Sequence, residues 1–429
     1  MNKKDFLKKI KSSNNPYFVK DILTMFLKKE IFLKKIYDNI NYLWIQKSNL
    51  DENNEIINRI RNNNHTFVDK ESKDIYYKTR SIWCTLCTLW KWVTVVLSYK
   101  CHRDCFFCYE ETPLDPKVVI DPYLKDDMDR IYWIIDDAFK DESNKTLAIT
   151  WGEPFLFVDK VYEILNYVQN KYPWKHTRIY TTGDIMDEEI LKNLNLLWLD
   201  EIRYSIKPFE EPKLELFRLT KKYIKAVLIE MPVMPNTKDY MIDILTKIDN
   251  DWYIDWINLN ELTFNNLNKE KYKEAWLKLD LPESENEIYH RYFDVSKVEI
   301  WVSWSKKLCL ELIDIFSNKN AWFFMHYCDL DTVSNHHYVH KREVAKFLMI
   351  PYYKITKFSL NKFLRIYNNL DKALAIINKN SIKEYYYSWN YIDLSVDNKN
   401  IFINESFLLV IIYKNFNNTS LVDFEILNM

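Results

Sequence analysis

Three cysteines crowd together at Cys101, Cys105 and Cys108, in the run YKCHRDCFFCYEE. The C-x3-C-x2-C spacing lets three thiolates on one short loop converge on three corners of an iron-sulfur cubane, leaving the fourth iron without a protein ligand. An iron with an open position can chelate an outside molecule, and a reduced cluster can pass that molecule an electron. Zinc is the competing occupant, but structural zinc closes with four ligands, commonly from C-x2-C pairs, and this spacing is unlike them. Cys84 and Cys87 form such a pair just upstream in SIWCTLCTLWKW, and Cys309 and Cys328 follow far downstream. Seven cysteines divide as three plus four, so these four could supply an auxiliary iron-sulfur cluster or a zinc site. Buried structural thiols are the alternative, because free cysteine is among the most buried residue types. His326, His336, His337 and His340 stand near Cys328 in MHYCDLDTVSNHHYVHKR. Surface or core histidines are expected there, with metal ligation as the other reading.

The triplet needs a scaffold that holds one short loop still. From Val93 onward, short β-branched runs alternate with amphipathic stretches. VTVVLSY, TLAITW, TRIYTT, EIRYSI, AVLIEMPV and WINLNEL read as strands, and the segments near 123–139, 158–171, 187–196, 210–222 and 237–249 read as helices. Six such units predict an α/β fold, a partial (β/α)6 TIM-like barrel whose βα loops gather at the carboxyl edge of a parallel sheet. The triplet then sits on the first βα loop. Residues 1–80 predict a helical N-terminal appendage, 81–305 the barrel core, and 306–429 a C-terminal region with a Cys/His segment and a small β-rich tail. EYYYSWNYIDLSV, NIFI and SFLLVIIYK read as strands in that tail.

The 429-residue chain has a hydrophobic share of 48%, a charged share of 28% and a net charge of -1. That is the balance of a folded domain, with nothing in the bulk charge that asks for nucleic acid or an anionic membrane. The lysine-rich start lacks the apolar core of a signal peptide, and no run approaches the ~20 apolar residues of a membrane helix. A cytoplasmic protein is expected. In a reducing compartment, five cysteines between Cys84 and Cys108 read as metal ligation before disulfides.

The chain has only two glycines, Gly152 and Gly183, where average usage would give roughly thirty. Its 15 tryptophans fall repeatedly where a turn or cap wants glycine, as in KYPWKHTR, LLWLDEIR, DWYIDW, VSWSKK and YYSWNY. A bulky ring gives no relief from the steric ban on positive φ. The expectation is that many or most of these tryptophans are glycine in the native protein, from UGA codons that encode glycine there. Genuine tryptophan in an AT-rich genome is the alternative, and UGG codons at Trp151, Trp198 and Trp256 would establish it.

The triplet, with Phe107 just before its last cysteine, resembles the signature of the radical S-adenosylmethionine superfamily. TWGEP at the end of the second strand is similar to that family's Gly-Gly-Glu-Pro motif, YTTGD after the third to its Thr-Asn-Gly turn, and RYSIKP places Ser205 on the fourth. The resemblance covers roughly residues 84–265 and implies a 4Fe-4S cluster on Cys101, Cys105 and Cys108. S-adenosylmethionine would then lie against Phe107, Trp151, Gly152, Glu153, Pro154, Thr182, Gly183 and Ser205. Trp151 departs from the motif, since its side chain would intrude where the first glycine presents backbone. The Cys84/Cys87 pair resembles an uncharacterised branch related to pyruvate formate-lyase activating enzymes.

The implied activity is reductive cleavage of S-adenosylmethionine to a 5′-deoxyadenosyl radical that abstracts hydrogen from a substrate. A flavodoxin- or ferredoxin-type reductant is the implied partner. The reaction could be that of an activase or of an enzyme modifying a peptide, protein or RNA. A non-enzymatic zinc- or iron-sulfur-binding interaction protein is the alternative. Asp184 and Lys207, polar residues at strand ends, could contact cofactor or substrate or simply be solvated loop charges. Glu230 and Asn260 could be a hydrogen-bonded buried pair or substrate contacts.

Overall fold

A computed structural model of the chain describes residues 3–40, 44–45, 50–69, 74–89, 91–108, 128–264, 269–281, 284–292, 300–328, 353–356, 360–403, 406–414 and 421–428. These fall into two compact units, one of residues 43–281 and 299–336, the other of residues 1–42, 282–298 and 337–429. Among the described residues no helix is long and apolar enough to cross a membrane.

The first unit is built on β1 (Trp92–Val96), β2 (Thr146–Thr150), β3 (His176–Thr181), β4 (Glu201–Ser205), β5 (Ala226–Val233), β6 (Trp256–Glu261) and β7 (Phe324–Cys328). They lie side by side in sequence order, and every neighbouring pair is parallel. Helices α1 (Met128–Phe139), α2 (Val158–Lys171), α3 (Glu188–Leu196), α4 (Leu214–Lys221), α5 (Lys238–Asp251) and α6 (Ser305–Asn318) complete the βα pattern. The six expected strands are present, and α6 with β7 extends the series by one unit. A short antiparallel hairpin, Thr66–Val68 with Ile75–Tyr77, continues the sheet beyond β7.

Strand alternation divides the sheet into two faces. Ile179, Ile202, Tyr204, Val227, Ile229, Ile257, Leu259 and Met325 join the apolar core with helix residues such as Val161, Leu191, Phe217 and Ile244. The opposite face carries Arg178, Tyr180, Arg203, Glu230, Asn258 and His326. That polar face encloses a short helix, Ile82–Thr88. Its Trp83 and Cys84 cluster with Ala148 of β2, and Cys84 also meets Arg203 of β4 and His326 of β7. In a flat sheet β2 and β7 would stand about 24 Å apart, five strand spacings, so one short helix touching both requires the sheet to curl. The fold is a partial barrel, open between β1 and the edge strand Thr66–Val68.

The second unit joins both ends of the chain. In helix Pro16–Ile40 the residues Phe18, Ile22, Met25, Leu33, Ile36 and Ile40 fall at helical spacing and are buried. Asn15 caps it by accepting the Phe18 amide at 2.9 Å, and Pro16 occupies the first turn, where its missing N–H costs nothing. Its Phe18, Ile22 and Met25 pack with Tyr367 and with Phe363, Val410 and Ile412 of an antiparallel sheet that includes Asn361–Ile366, Tyr385–Ser388, Tyr391–Leu394, Leu409–Lys414 and Leu421–Asn428. The β-rich tail is therefore present, with one correction: NIFI is not a strand. Lys399–Phe402 forms a short helix following a 3-10 turn at Val396–Asn398, and Phe402 is its only core contact. A helix Leu370–Lys379 also interrupts the run of strands.

Among the described residues eleven non-glycine residues have positive φ, and five of them are tryptophan: Trp151, Trp198, Trp252, Trp276 and Trp304. Trp198 and Trp276 follow helices whose last turns close with Leu199 N to Leu194 O at 3.0 Å and Leu277 N to Tyr272 O at 3.1 Å. This is the six-to-one closure in which glycine normally takes the left-handed position. Of the other tryptophans in the turn-like motifs, Trp174, Trp256 and Trp389 do not have positive φ.

Candidate active site

The site is assembled at the carboxyl ends of β1 to β4, where each strand releases its chain into a loop. After β1, the Ser98 hydroxyl accepts the Lys100 amide at 3.1 Å and begins the turn that carries the three cysteines. Within that loop the Arg103 amide points at Cys101 Sγ at 3.4 Å, and the Cys108 amide donates to the Cys105 carbonyl at 3.0 Å. The thiols lie within electrostatic reach of one another. Burial pushes Cys101 up, and pushes Cys105 up to about 11 against the pull of the neighbouring Lys207 ammonium. Phe107 stacks edge-on against Phe106, with ring centroids 5.3 Å apart.

The loop after β2 presses onto this one. Gly152 adopts φ 58, and a Cβ there would fall 2.4 Å from the carbonyl oxygens of both Ser98 and Lys100. Only glycine permits that approach. The next amide, Glu153 N, then donates to Lys100 O at 2.8 Å. Trp151 precedes it at φ 67, a conformation that costs an L-residue roughly 1–2 kcal/mol.

Glu153 is 1% exposed and joins the second loop to the third. One carboxylate oxygen accepts from Thr181 Oγ1 at 2.7 Å, and the other accepts from both the amide and the hydroxyl of Thr182 at 2.8 Å. Pro154 starts the 3-10 turn Pro154–Phe157, which leads into α2. Gly183 follows at φ 72, its amide donating to Thr181 Oγ1 at 3.0 Å. An open groove of about 590 Å³, lined by Gly183, Asp184, Met186, Lys213, Leu214 and Leu216 among others, borders this turn.

Two residues that sequence reasoning did not single out lock the cysteine loop to the loops after β3 and β4. Arg103 donates from Nε and Nη2 to Asp184, and from Nη1 and Nη2 to the two oxygens of Glu210 at 2.9 and 2.8 Å. Burial alone would raise the Asp184 carboxyl, but hydrogen bonds from Arg103, Lys213 and His102 hold it well below the usual carboxylate range. Asp184 is therefore an organising anion. The signal was an arginine inside the cysteine triplet, legible only once Glu210 and Asp184 were known to face it. The Lys207 amide donates to Glu210 at 3.1 Å, and Ser205 closes β4 opposite Glu230.

The remaining sequence candidates are placed differently. Glu230 and Asn260 do meet, Asn260 Nδ2 donating to Glu230 Oε1 at 3.1 Å inside the curled sheet. His326 is a buried histidine between Asn258 Oδ1 at 2.9 Å and Asp74 Oδ1 at 2.8 Å. His336, His337 and His340 lie outside the described residues. Cys309 is fully buried in the aliphatic core, Cys328 ends β7, and Cys84 and Cys87 share the enclosed helix. Burial would raise the Cys84 thiol, yet Arg203 and His326 bring it down to about 6, while burial pushes Cys87 up to about 11. Among the described residues no three Cys, His, Asp or Glu side chains already form a cage for a metal ion.

Residues 95–248 match the model of the Radical SAM superfamily. A Methanocaldococcus jannaschii protein provisionally named a glycyl-radical enzyme activating enzyme is 26% identical over 341 residues, spanning 75% of this chain and 81% of its own. Among solved structures, anSMEcpe with bound AdoMet aligns at 17% identity and TM-score 0.31, covering 39% of this chain. The alignment spans about half of that protein, 49%. Coproporphyrinogen III oxidase from Escherichia coli, described as a radical SAM enzyme, aligns at 11% identity and TM-score 0.31 over 75% of this chain and 92% of its own. With the cysteine loop, the glycine turn and the threonine turn on successive strands of a partial barrel, residues 95–248 carry the match to a radical S-adenosylmethionine domain.

Proposed function

We propose that the chain cleaves S-adenosylmethionine reductively, using a 4Fe-4S cluster held by Cys101, Cys105 and Cys108, and takes hydrogen from a substrate at the barrel mouth. The donor set fits such a cluster: three half-buried thiols on one loop, whose raised affinity for protons a bound cation would offset. When bound, the cluster would supply an electron to the sulfonium and so yield a 5′-deoxyadenosyl radical.

The chain's own residues bind and orient. Gly152 holds the second loop against the Ser98–Lys100 backbone that leads into the cysteine loop, and residues 151–153 would offer backbone to the cofactor from there. Thr182, Gly183 and Ser205 would line the cofactor's other side, with Phe107 as an aromatic wall. Glu153, spent on the two threonines, positions the turns rather than touching the reacting atoms. Arg103 fixes the loop that bears the thiols. Most of the catalytic contribution would come from such preorganisation and from exclusion of water around a radical.

The observation that carries this reading is the double tie of the cysteine loop, through Gly152 and Glu153 to one side and Arg103 to the other. A protein substrate of the glycyl-radical kind is supported by the relative's provisional name, and a flavodoxin- or ferredoxin-type protein would be the electron donor. Anaerobic reconstitution with iron and sulfide tests the proposal. The expected product is brown, bleaches with dithionite and releases 5′-deoxyadenosine. Colourless protein with stoichiometric zinc would select a structural metal-binding module instead.

A further inference from the structure

The helix Ile82–Thr88 lies inside the curl of the sheet and takes no part in the reaction proposed above. It carries Cys84 and Cys87 one turn apart on the same face, a separation of about 5–6 Å between Cβ atoms that a disulfide can close with modest adjustment.

The surroundings of the first sulfur are charged. Arg203 Nη2 donates to Cys84 Sγ at 3.2 Å and to Ser81 Oγ at 3.0 Å, while Nε donates to Glu201 at 2.6 Å and Nη1 to Glu230 at 2.7 Å. His326 reaches Cys84 as well. Both nitrogens of His326 act as donors. Asn258 spends its amide N–H groups on Glu230 and Asn260, so its Oδ1 must accept from His326 Nδ1, and the Asp74 carboxylate accepts from Nε2. The imidazole is therefore an imidazolium. Two cations converge on one buried sulfur, the arrangement that holds a thiolate in place. Cys87 is half-buried, whereas Cys309 belongs to the apolar core at 0% exposure.

We infer that Cys84 and Cys87 are a redox-active dithiol that closes to a disulfide by exchange with a low-molecular-weight disulfide. Cys87, the more accessible of the two, loses its proton and attacks the external disulfide RSSR, forming Cys87–S–S–R and releasing RS⁻. The Cys84 thiolate then attacks the Cys87 sulfur, forms the internal disulfide and expels the second RS⁻. Two electrons pass from the pair to the external disulfide, which leaves as two thiols once protonated. Closure removes an anion from beside Arg203 and His326, so the reduced pair is the form the barrel interior favours and the disulfide is oxidising.

The test uses the full chain, purified without oxygen and equilibrated in glutathione buffers of varied ratio, then acid-quenched, alkylated and digested with trypsin. Both cysteines fall in one peptide, Ser81–Lys91. The expected result is that this peptide becomes two hydrogens lighter and resists alkylation as the buffer turns oxidising, while Cys309 stays alkylatable on denaturation. The midpoint should be unchanged in Cys328→Ser. In His326→Gln it should move about tenfold in thiol-to-disulfide ratio toward easier closure, because the thiolate loses one of its two neighbouring cations. A peptide alkylated at both sites at every ratio would overturn the inference, as would a bridge from either cysteine to Cys328 or to the triplet. Iron or zinc held by the pair in the Cys101→Ala, Cys105→Ala, Cys108→Ala variant, and lost on Cys87→Ser, would overturn it in favour of an auxiliary metal site.

Discussion

Glu153 and Thr182, 29 residues apart, are joined twice: one carboxylate oxygen accepts both the amide and the hydroxyl of the threonine, each at 2.8 Å. The bond crosses from the end of β2 to the end of β3, so two loops that share no local sequence move as one. Because the carboxylate is buried, nothing from solvent can replace it.

Glu153→Gln should therefore destabilise the protein by about 1–3 kcal/mol, since the amide nitrogen of glutamine would face N–H and O–H donors and leave one unsatisfied. Urea unfolding of the metal-free chain measures this directly. An unchanged midpoint would mean the two turns do not depend on the carboxylate.

Arg103→Lys keeps the charge and removes the fork that reaches Asp184 and Glu210 together. Iron content after reconstitution should stay near that of the parent, because the three thiols remain. Release of 5′-deoxyadenosine should fall roughly tenfold, as expected when the ligand loop is held less rigidly. Equal loss of iron and of activity would instead make Arg103 a residue of cluster assembly.

Trp198→Gly should stabilise the chain by about 1 kcal/mol or more, because a left-handed residue at a helix C-terminus is relieved and the exposed ring forfeits little packing. Trp301→Gly, in a buried strand position, should cost about 3 kcal/mol or more. Chemical denaturation of the two variants separates the cases, and coding DNA with UGA at position 198 would agree with the first.

In the second unit, acid should act through Asp423. Burial would raise this carboxyl, but His290 at 2.7 Å and Lys29 at 2.8 Å bring it below its ordinary value. A depressed carboxylate stabilises the fold above the unfolded-state value of about 4 and loses that contribution as pH falls through the folded-state value. Thermal stability measured from pH 6 downward should decline below about pH 4 in the parent. Asp423→Asn should be less stable at neutral pH and show a shallower acid limb; an identical limb would place the acid response elsewhere.

Much of the barrel was legible along the chain. Alternation of β-branched strands with amphipathic helices is written in windows of five to fifteen residues, which is why VTVVLSY through WINLNEL and the helices between them agree with the structure. That Cys101, Cys105 and Cys108 share the loop after β1 was legible for the same reason, since their spacing is local. NIFI misled because four apolar-rich residues suit a short helix and a strand equally, and the turn before them decided it.

What the tertiary structure alone decided is everything that depends on the curl of the sheet. Asp74 and His326, 252 residues apart, meet because the edge strand Ile75–Tyr77, which Asp74 precedes, pairs antiparallel with β7. Arg103 finds Asp184 and Glu210 for a similar reason, three loops brought to one edge. Periodicity encodes which face of a strand is buried, but closure and register are set by the packing of the whole sheet, and no short stretch of sequence contains them.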